Sequence, residues 1–171
     1  KIKKWLGAVG PYIDIMLFGD DFGSNQGPLI DPLAYREFYK PYHKKMWTLV
    51  KELAPHIKIQ LHSCGSIEGF LEDLIDAGLD AVNPVQISCF GMNLEELKLK
   101  YNGRITFWGG GCDTQHVLHN ASPDEVEIHV KEQLSIMKGN GGYIFQQVHN
   151  ILGTVPIENV IRMFETLKKY R

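Results

Sequence analysis

The stretch Ile57-Lys58-Ile59-Gln60-Leu61-His62-Ser63-Cys64-Gly65, with residues 66–75 behind it, decides how the chain is read. Ile57, Ile59 and Leu61 alternate with Lys58, Gln60 and His62, which is the period of a strand. From Ser66 onward Ile67, Phe70, Leu71, Leu74 and Ile75 recur at helical spacing, so the strand runs into a helix. His62 and Cys64 lie two apart on the extended part, and alternate residues of a strand share a face. An imidazole and a thiol therefore stand side by side at the carboxyl end of a strand, just before a glycine turn. In α/β proteins that end is where ligands bind.

Outward from this stretch the same grammar repeats. Residues 2–8 form a short amphipathic piece, and residues 12–18 read as a buried strand ending in Gly19-Asp20-Asp21-Phe22-Gly23. Asp31-Pro32 caps a helix with proline in its first turn, running to about residue 53 and bent at Pro41. The helix after Cys64 closes at Ala77-Gly78, residues 79–86 make a third strand, and Asn93 caps a helix over 94–101. A fourth strand over 105–108 enters Gly109-Gly110-Gly111-Cys112-Asp113, and Ser122-Pro123-Asp124-Glu125 is a capping box opening a helix to about 138. Residues 141–150 give a fifth strand and residues 156–170 the last helix. Strands alternating with helices predict a parallel sheet of βαβ units. A complete (β/α)8 barrel takes roughly 250 residues. The 171 residues are thus either a small open sheet or the back portion of a barrel, and a start without methionine favours the portion.

Composition narrows the classes. At 44% hydrophobic residues the chain can bury a sizeable core as one domain over 1–171. A net charge of −2 and a pI near 6.4 offer no general attraction to nucleic acid or an anionic membrane. No apolar run approaches the roughly 20 residues of a membrane helix, and Lys1 to Leu6 is not a signal peptide. Three cysteines, Cys64, Cys89 and Cys112, exclude a complete disulfide framework and point to a reduced, cytoplasmic chain.

Four groups of residues carry candidate chemistry. His62 and Cys64 offer nitrogen and sulfur, the donors zinc accepts, and a catalytic zinc site needs a third protein ligand. His149, also at a strand end, is the leading candidate and Cys112 its rival. The plain alternative is a buried cysteine beside a histidine bonded to backbone. Of Asp20 and Asp21 only one can face a pocket from an extended segment. Asp21 is the candidate acid–base or orienting carboxylate, and a solvated turn is the alternative. The amides of the Gly109–Asp113 loop suit a carboxylate or phosphate, with Gly110 and Asp113 as candidate cofactor-binding positions, although no Gly-Lys-Ser/Thr follows. Gln146 and Gln147 take opposite faces. His43, His56, His116, His119 and His129 default to surface or capping roles.

The segment Asp31 to Tyr42, Asp-Pro-Leu-Ala-Tyr-Arg-Glu-Phe-Tyr-Lys-Pro-Tyr, resembles one written S-P-x-x-F-R-E-F-x-x-P-Y in uroporphyrinogen decarboxylases and related methyltransferases. The resemblance continues through His62-Ser63-Cys64-Gly65, Leu79 to Pro84, the Gly-Gly-x-Asp113 loop and Thr154 to Val160, covering nearly the whole chain in order. It implies a TIM (β/α)8 barrel of which residues 1–171 are roughly the carboxyl-terminal half, about five βα units. Half a barrel is expected to be inactive alone and to associate with another chain.

Two branches of that superfamily compete. In the cobalamin-linked methyltransferase branch zinc is held by H-x-C and a later cysteine, and activates a thiol for attack on a methyl group. His62 and Cys64 match the first two ligands, and the third falls on His149, a departure from cysteine that zinc accepts. In the decarboxylases the same position is the histidine of a G-H-G motif lining the porphyrin pocket, with no H-x-C pair and no metal. Their substrate-gripping arginines lie in the amino-terminal half. The H-x-C pair favours zinc-dependent methyl transfer, with a corrinoid (cobalamin) or a corrinoid protein as partner, a small-molecule acceptor, and Asp21 and His149 as catalytic positions. Uroporphyrinogen decarboxylation in tetrapyrrole biosynthesis is the alternative.

Overall fold

The computed structural model describes residues 1–139 and 141–171. Five strands, β1 (Ile15–Gly19), β2 (Lys58–His62), β3 (Ala81–Asn83), β4 (Thr106–Trp108) and β5 (Tyr143–Ile144), form one all-parallel sheet in the order β1-β2-β3-β4-β5. Every crossover steps to the next position in the same direction. Parallel crossovers share one hand, so their helices fall on one face of the sheet and leave the other bare. A doubly wound sheet would reverse its order at a switch point. This one does not, and it is an arc of a barrel.

The helices are α1 (Ile2–Val9), α2 (Pro32–Ala34), α3 (Lys40–Leu53), α4 (Leu71–Ala77), α5 (Leu94–Tyr101), α6 (Pro123–Met137) and α7 (Ile157–Tyr170). Asn93 caps α5 and the Ser122–Glu125 box caps α6, as the sequence predicts. The bend expected at Pro41 takes a different form. Proline has no amide to donate and its ring crowds the carbonyl four residues back. The preceding turn, Tyr35–Tyr39, widens to a π-helical one, with the Lys40 amide reaching back to the Tyr35 carbonyl.

Two strands are shorter than expected for similar reasons. β3 stops at Asn83 because Pro84 brings no donor to the ladder. β5 is regular only over Tyr143–Ile144, yet its pairing with the β4 continuation goes on. Gly111 N–H donates to Gln146 O (2.9 Å) and Val148 N–H to Cys112 O (2.9 Å). Gly109 and Gly110 take φ of 127° and 76°, which breaks the pleat but keeps the two segments side by side.

Ile57, Ile59 and Leu61 point to the helix side, fully buried in one core with Trp47, Phe70 and Leu74. A second core gathers Cys112, Leu118, Val126, Val130 and Met163 beneath α6 and α7. On the bare face Leu17 stands in register with Gln60, and Ile144 with Trp108. Among the described residues no helix is long and apolar enough to cross a membrane.

The outer edges of β1 and β5 meet no further strand among the described residues, and Leu17 on the bare face is 61% exposed. Open parallel edges beside apolar side chains recruit other chains. The isolated 19.4 kDa chain should therefore sediment as an oligomer, and Leu17→Lys should shift it toward monomer. A wild-type chain that stays monomeric at tens of micromolar would contradict this.

Candidate metal centre

The site begins with a backbone crossing. At Gly23 an added Cβ would stand 2.5 Å from Ser66 N and 2.7 Å from Cys64 O, and at Gly65 one would stand 2.3 Å from Gly23 C. The loops after β1 and β2 thus touch backbone to backbone, which side chains at either position would prevent. Phe22 anchors the first loop, its ring packed edge-on to Tyr35 and Tyr39 at 5.2 and 5.4 Å between centroids. The crossing is stitched by Phe22 N–H donating to Ser63 Oγ (3.1 Å) and Ser66 N–H to Ser24 O (2.9 Å).

From this scaffold the side chains follow. His62 and Cys64 project on one side, with the Cys64 sulfur 3.4 Å from His62 Nε2. His149 arrives from the segment after β5 because buried Val148 turns inward and leaves its neighbour facing out. The His62 and His149 rings lie 6.1 Å apart. One donor atom from each of His62, Cys64 and His149 falls within 4.8 Å of the others, the one such group found among the described residues. Donors on a single zinc ion stand roughly 3–4 Å apart, a spacing the His62–Cys64 pair already has. The set of two imidazoles and a thiol fits zinc by chemistry as well as by position.

The neighbouring groups fix each member. His62 Nδ1–H donates to Asn83 Oδ1 (2.9 Å), leaving Nε2 toward the thiol. Asp21 Oδ1 accepts the Cys64 amide (2.8 Å), while Asp20 Oδ2 accepts from His43 Nε2 (3.1 Å). The two carboxylates diverge, and Asp21 is the one beside the thiol. Burial first, then the Asp21 carboxylate, push the Cys64 thiol up to about 11. Cys64 and His149 open on a cavity of about 580 Å³ whose wall includes Gln86, Thr114, His119 and Asn150.

The other expected positions sit elsewhere. Cys112 is fully buried in the second core, its thiol pushed up to about 12 by burial and then by Asp113. Gly110 packs on Val85 and Ile87. The Asp113 carboxylate accepts Gln115 N–H (2.7 Å) and His116 N–H (3.2 Å) within its own loop. Neither Gly110 nor Asp113 lines the cavity. Asp113 instead helps line a separate cavity with Asn93, His129 and Gln133. His43, assigned by default to the surface, is buried and stacked on Trp47 at 4.6 Å. Its helical spacing to Trp47 and Val50 is the signal that marks it as inward. Asn83 was passed over, although its strand register opposite His62 puts both side chains on one face. His119, expected in a surface or capping role, instead lines the cavity, and nothing in its sequence surroundings distinguishes it.

Comparison with known proteins agrees with this architecture. The family model for uroporphyrinogen decarboxylase (URO-D) matches residues 14–170. A uroporphyrinogen decarboxylase of Synechocystis sp. is 30% identical over 147 residues, covering 82% of this chain and 37% of that protein. A chloroplastic uroporphyrinogen decarboxylase 2 of Oryza sativa is 29% identical over 149 residues, covering 83% and 34%. Among solved structures, a methyltransferase from Methanosarcina mazei superposes with a TM-score of 0.72 at 20% identity, over 95% of this chain and 44% of that one. The fold is that of a partial (β/α)8 barrel, and the chain belongs to the uroporphyrinogen decarboxylase family. It spans well under half the length of the curated relatives it matches.

A thiol with a pKa of about 11 is on the order of one part in a thousand ionised at pH 8, and only the thiolate alkylates. In the metal-free chain the alkylation rate of Cys64, followed by peptide mass, should rise about tenfold per pH unit until roughly pH 11. Asp21→Asn removes a negative neighbour and should speed the reaction at pH 8. Full-rate alkylation of the wild type at pH 8 would refute the buried, carboxylate-flanked thiol.

Proposed function

We propose that this chain carries the metal-binding part of a methyl-transfer site, in which His62, Cys64 and His149 hold zinc and a thiol accepts a methyl group from a corrinoid, free or borne by a partner protein. The observation that carries the reading is the convergence of the three donor atoms within 4.8 Å at the carboxyl rim of the sheet. Bound zinc supplies a Lewis acid that lowers the pKa of an acceptor thiol. The chain's own residues do the rest. Asn83 holds His62 with Nε2 outward, and Asp21 grips the Cys64 backbone so that its sulfur faces the same point. His149, exposed on the cavity, borders with Cys64 the space where an acceptor would lie. The thiol loses its proton, for which the Asp21 carboxylate beside Cys64 is a candidate acceptor. Its sulfur then bonds the methyl carbon as the methyl–corrinoid bond breaks, the electron pair staying with the corrinoid.

Uroporphyrinogen decarboxylation is the second reading, favoured by the names of the curated relatives. It gives His149 a place on the cavity wall but leaves the His62–Cys64 pair without a task. Zinc analysis of protein purified without chelator separates the two. Near-stoichiometric zinc is expected in the wild type, lost in Cys64→Ala with the fold retained, and unchanged in Cys112→Ala. Protein without metal that consumes uroporphyrinogen would overturn the proposal in favour of decarboxylation.

A further inference from the structure

We propose that Asn83 is the positioning residue of this centre, and that it acts by holding His62 in the Nδ1–H tautomer from an anchorage on the neighbouring strand β4 and on the segment that follows β5. The inference rests on the metal-site reading for its consequence, though not for its geometry.

The hydrogen-bond pattern leaves no freedom in the assignment. Asn83 Nδ2 lies 3.0 Å from the Trp108 carbonyl, which only accepts, so the amine end of the carboxamide must face that way. Its second proton goes to Gln146 Oε1 at 3.1 Å. Asn83 Oδ1, the end left over, points at His62 Nδ1, and an amide oxygen only accepts. His62 Nδ1 therefore carries a hydrogen, and in the neutral ring this leaves Nε2, 3.4 Å from the Cys64 sulfur, as the free donor atom. Asn83 is itself 8% exposed, so water does not compete effectively for these bonds.

The anchorage has a second effect. Asn83 ends β3, Trp108 ends β4, and Gln146 lies on the segment after β5 that reaches His149 three residues later. One carboxamide thus ties the strand of the first ligand to the chain segment of the third. An outer partner of this kind fixes both the ring's tautomer and its orientation, and its loss typically weakens metal binding by roughly 10–100-fold.

The test uses the full chain with ¹⁵N-labelled histidine. Long-range ¹H–¹⁵N spectra of the metal-free protein, with His62 assigned through His62→Gln, should show the Nδ1–H tautomer in the wild type and a mixture in Asn83→Ala. Zinc affinity, measured by competition with a chromophoric chelator, should fall by roughly 10–100-fold in Asn83→Ala. Gln146→Leu, which touches no ligand, should weaken zinc severalfold, and Gln146→Glu should restore it by returning an acceptor to Asn83 Nδ2. The glutamine pair keeps the proposal testable if Asn83→Ala does not fold. Wild-type zinc binding with unchanged tautomer and affinity in the variants overturns the role of Asn83 and leaves the proposed function standing. A wild type that takes up no zinc removes the proposed function, and the tautomer spectra alone then decide whether Asn83 sets the state of His62.

Discussion

Where Gly23 crosses Gly65, two backbones meet with no side chain between them, and the rest of the rim depends on that contact. It brings the loop after β1 close enough for Asp21 to accept the Cys64 amide, and for Ser63 to receive Phe22 N–H. Each such bond contributes only about 0.5–1.5 kcal/mol net. Together they hold the strand end that carries both His62 and Cys64. The aromatic packing around Phe22 secures the other side of the crossing, with Phe70 at 5.6 Å and His43 at 6.0 Å. The chain thus builds its rim from the outside inward, from apolar anchor to backbone contact to ligand.

The architecture was legible because it follows from periodicity. Ile57, Ile59 and Leu61 announce a strand, the Ser122–Glu125 box announces α6, and five strands alternating with helices announce a parallel sheet. His62 and Cys64 could be paired for the same reason, since a period of two governs a single strand. What was not legible lay between elements. Asn83 matters through its register against β2, and register is a property of two strands rather than one. Gly110 and Asp113 look like ligand-cradling residues because glycine and aspartate serve both ligands and turns. In the structure Asp113 takes the turn role, accepting the Gln115 and His116 amides, a pairing that the sequence alone does not display.

The three thiols show how location divides one residue type. Burial raises all of them, and Cys112 and Cys89 lie among core residues where a neutral thiol is simply a small apolar group. Cys64 is also raised, yet it sits at a cavity mouth with an imidazole at 3.4 Å. A thiolate is the form a metal binds, so under the proposed reading a cation would have to displace the Cys64 proton, a loss the neighbouring Asp21 charge opposes in the metal-free chain.

Because every strand of the sheet points its carboxyl end at the same rim, the turns at the opposite end of the barrel arc lie on the far side of the sheet from His62, Cys64 and His149. The tight turn around Gly103, between α5 and β4, lies there, with φ of 72° and open space where a side chain would go. That makes it a practical attachment point: an affinity tag, a fluorophore or a spin label inserted at this turn would report on the molecule from the side away from the histidine–cysteine cluster.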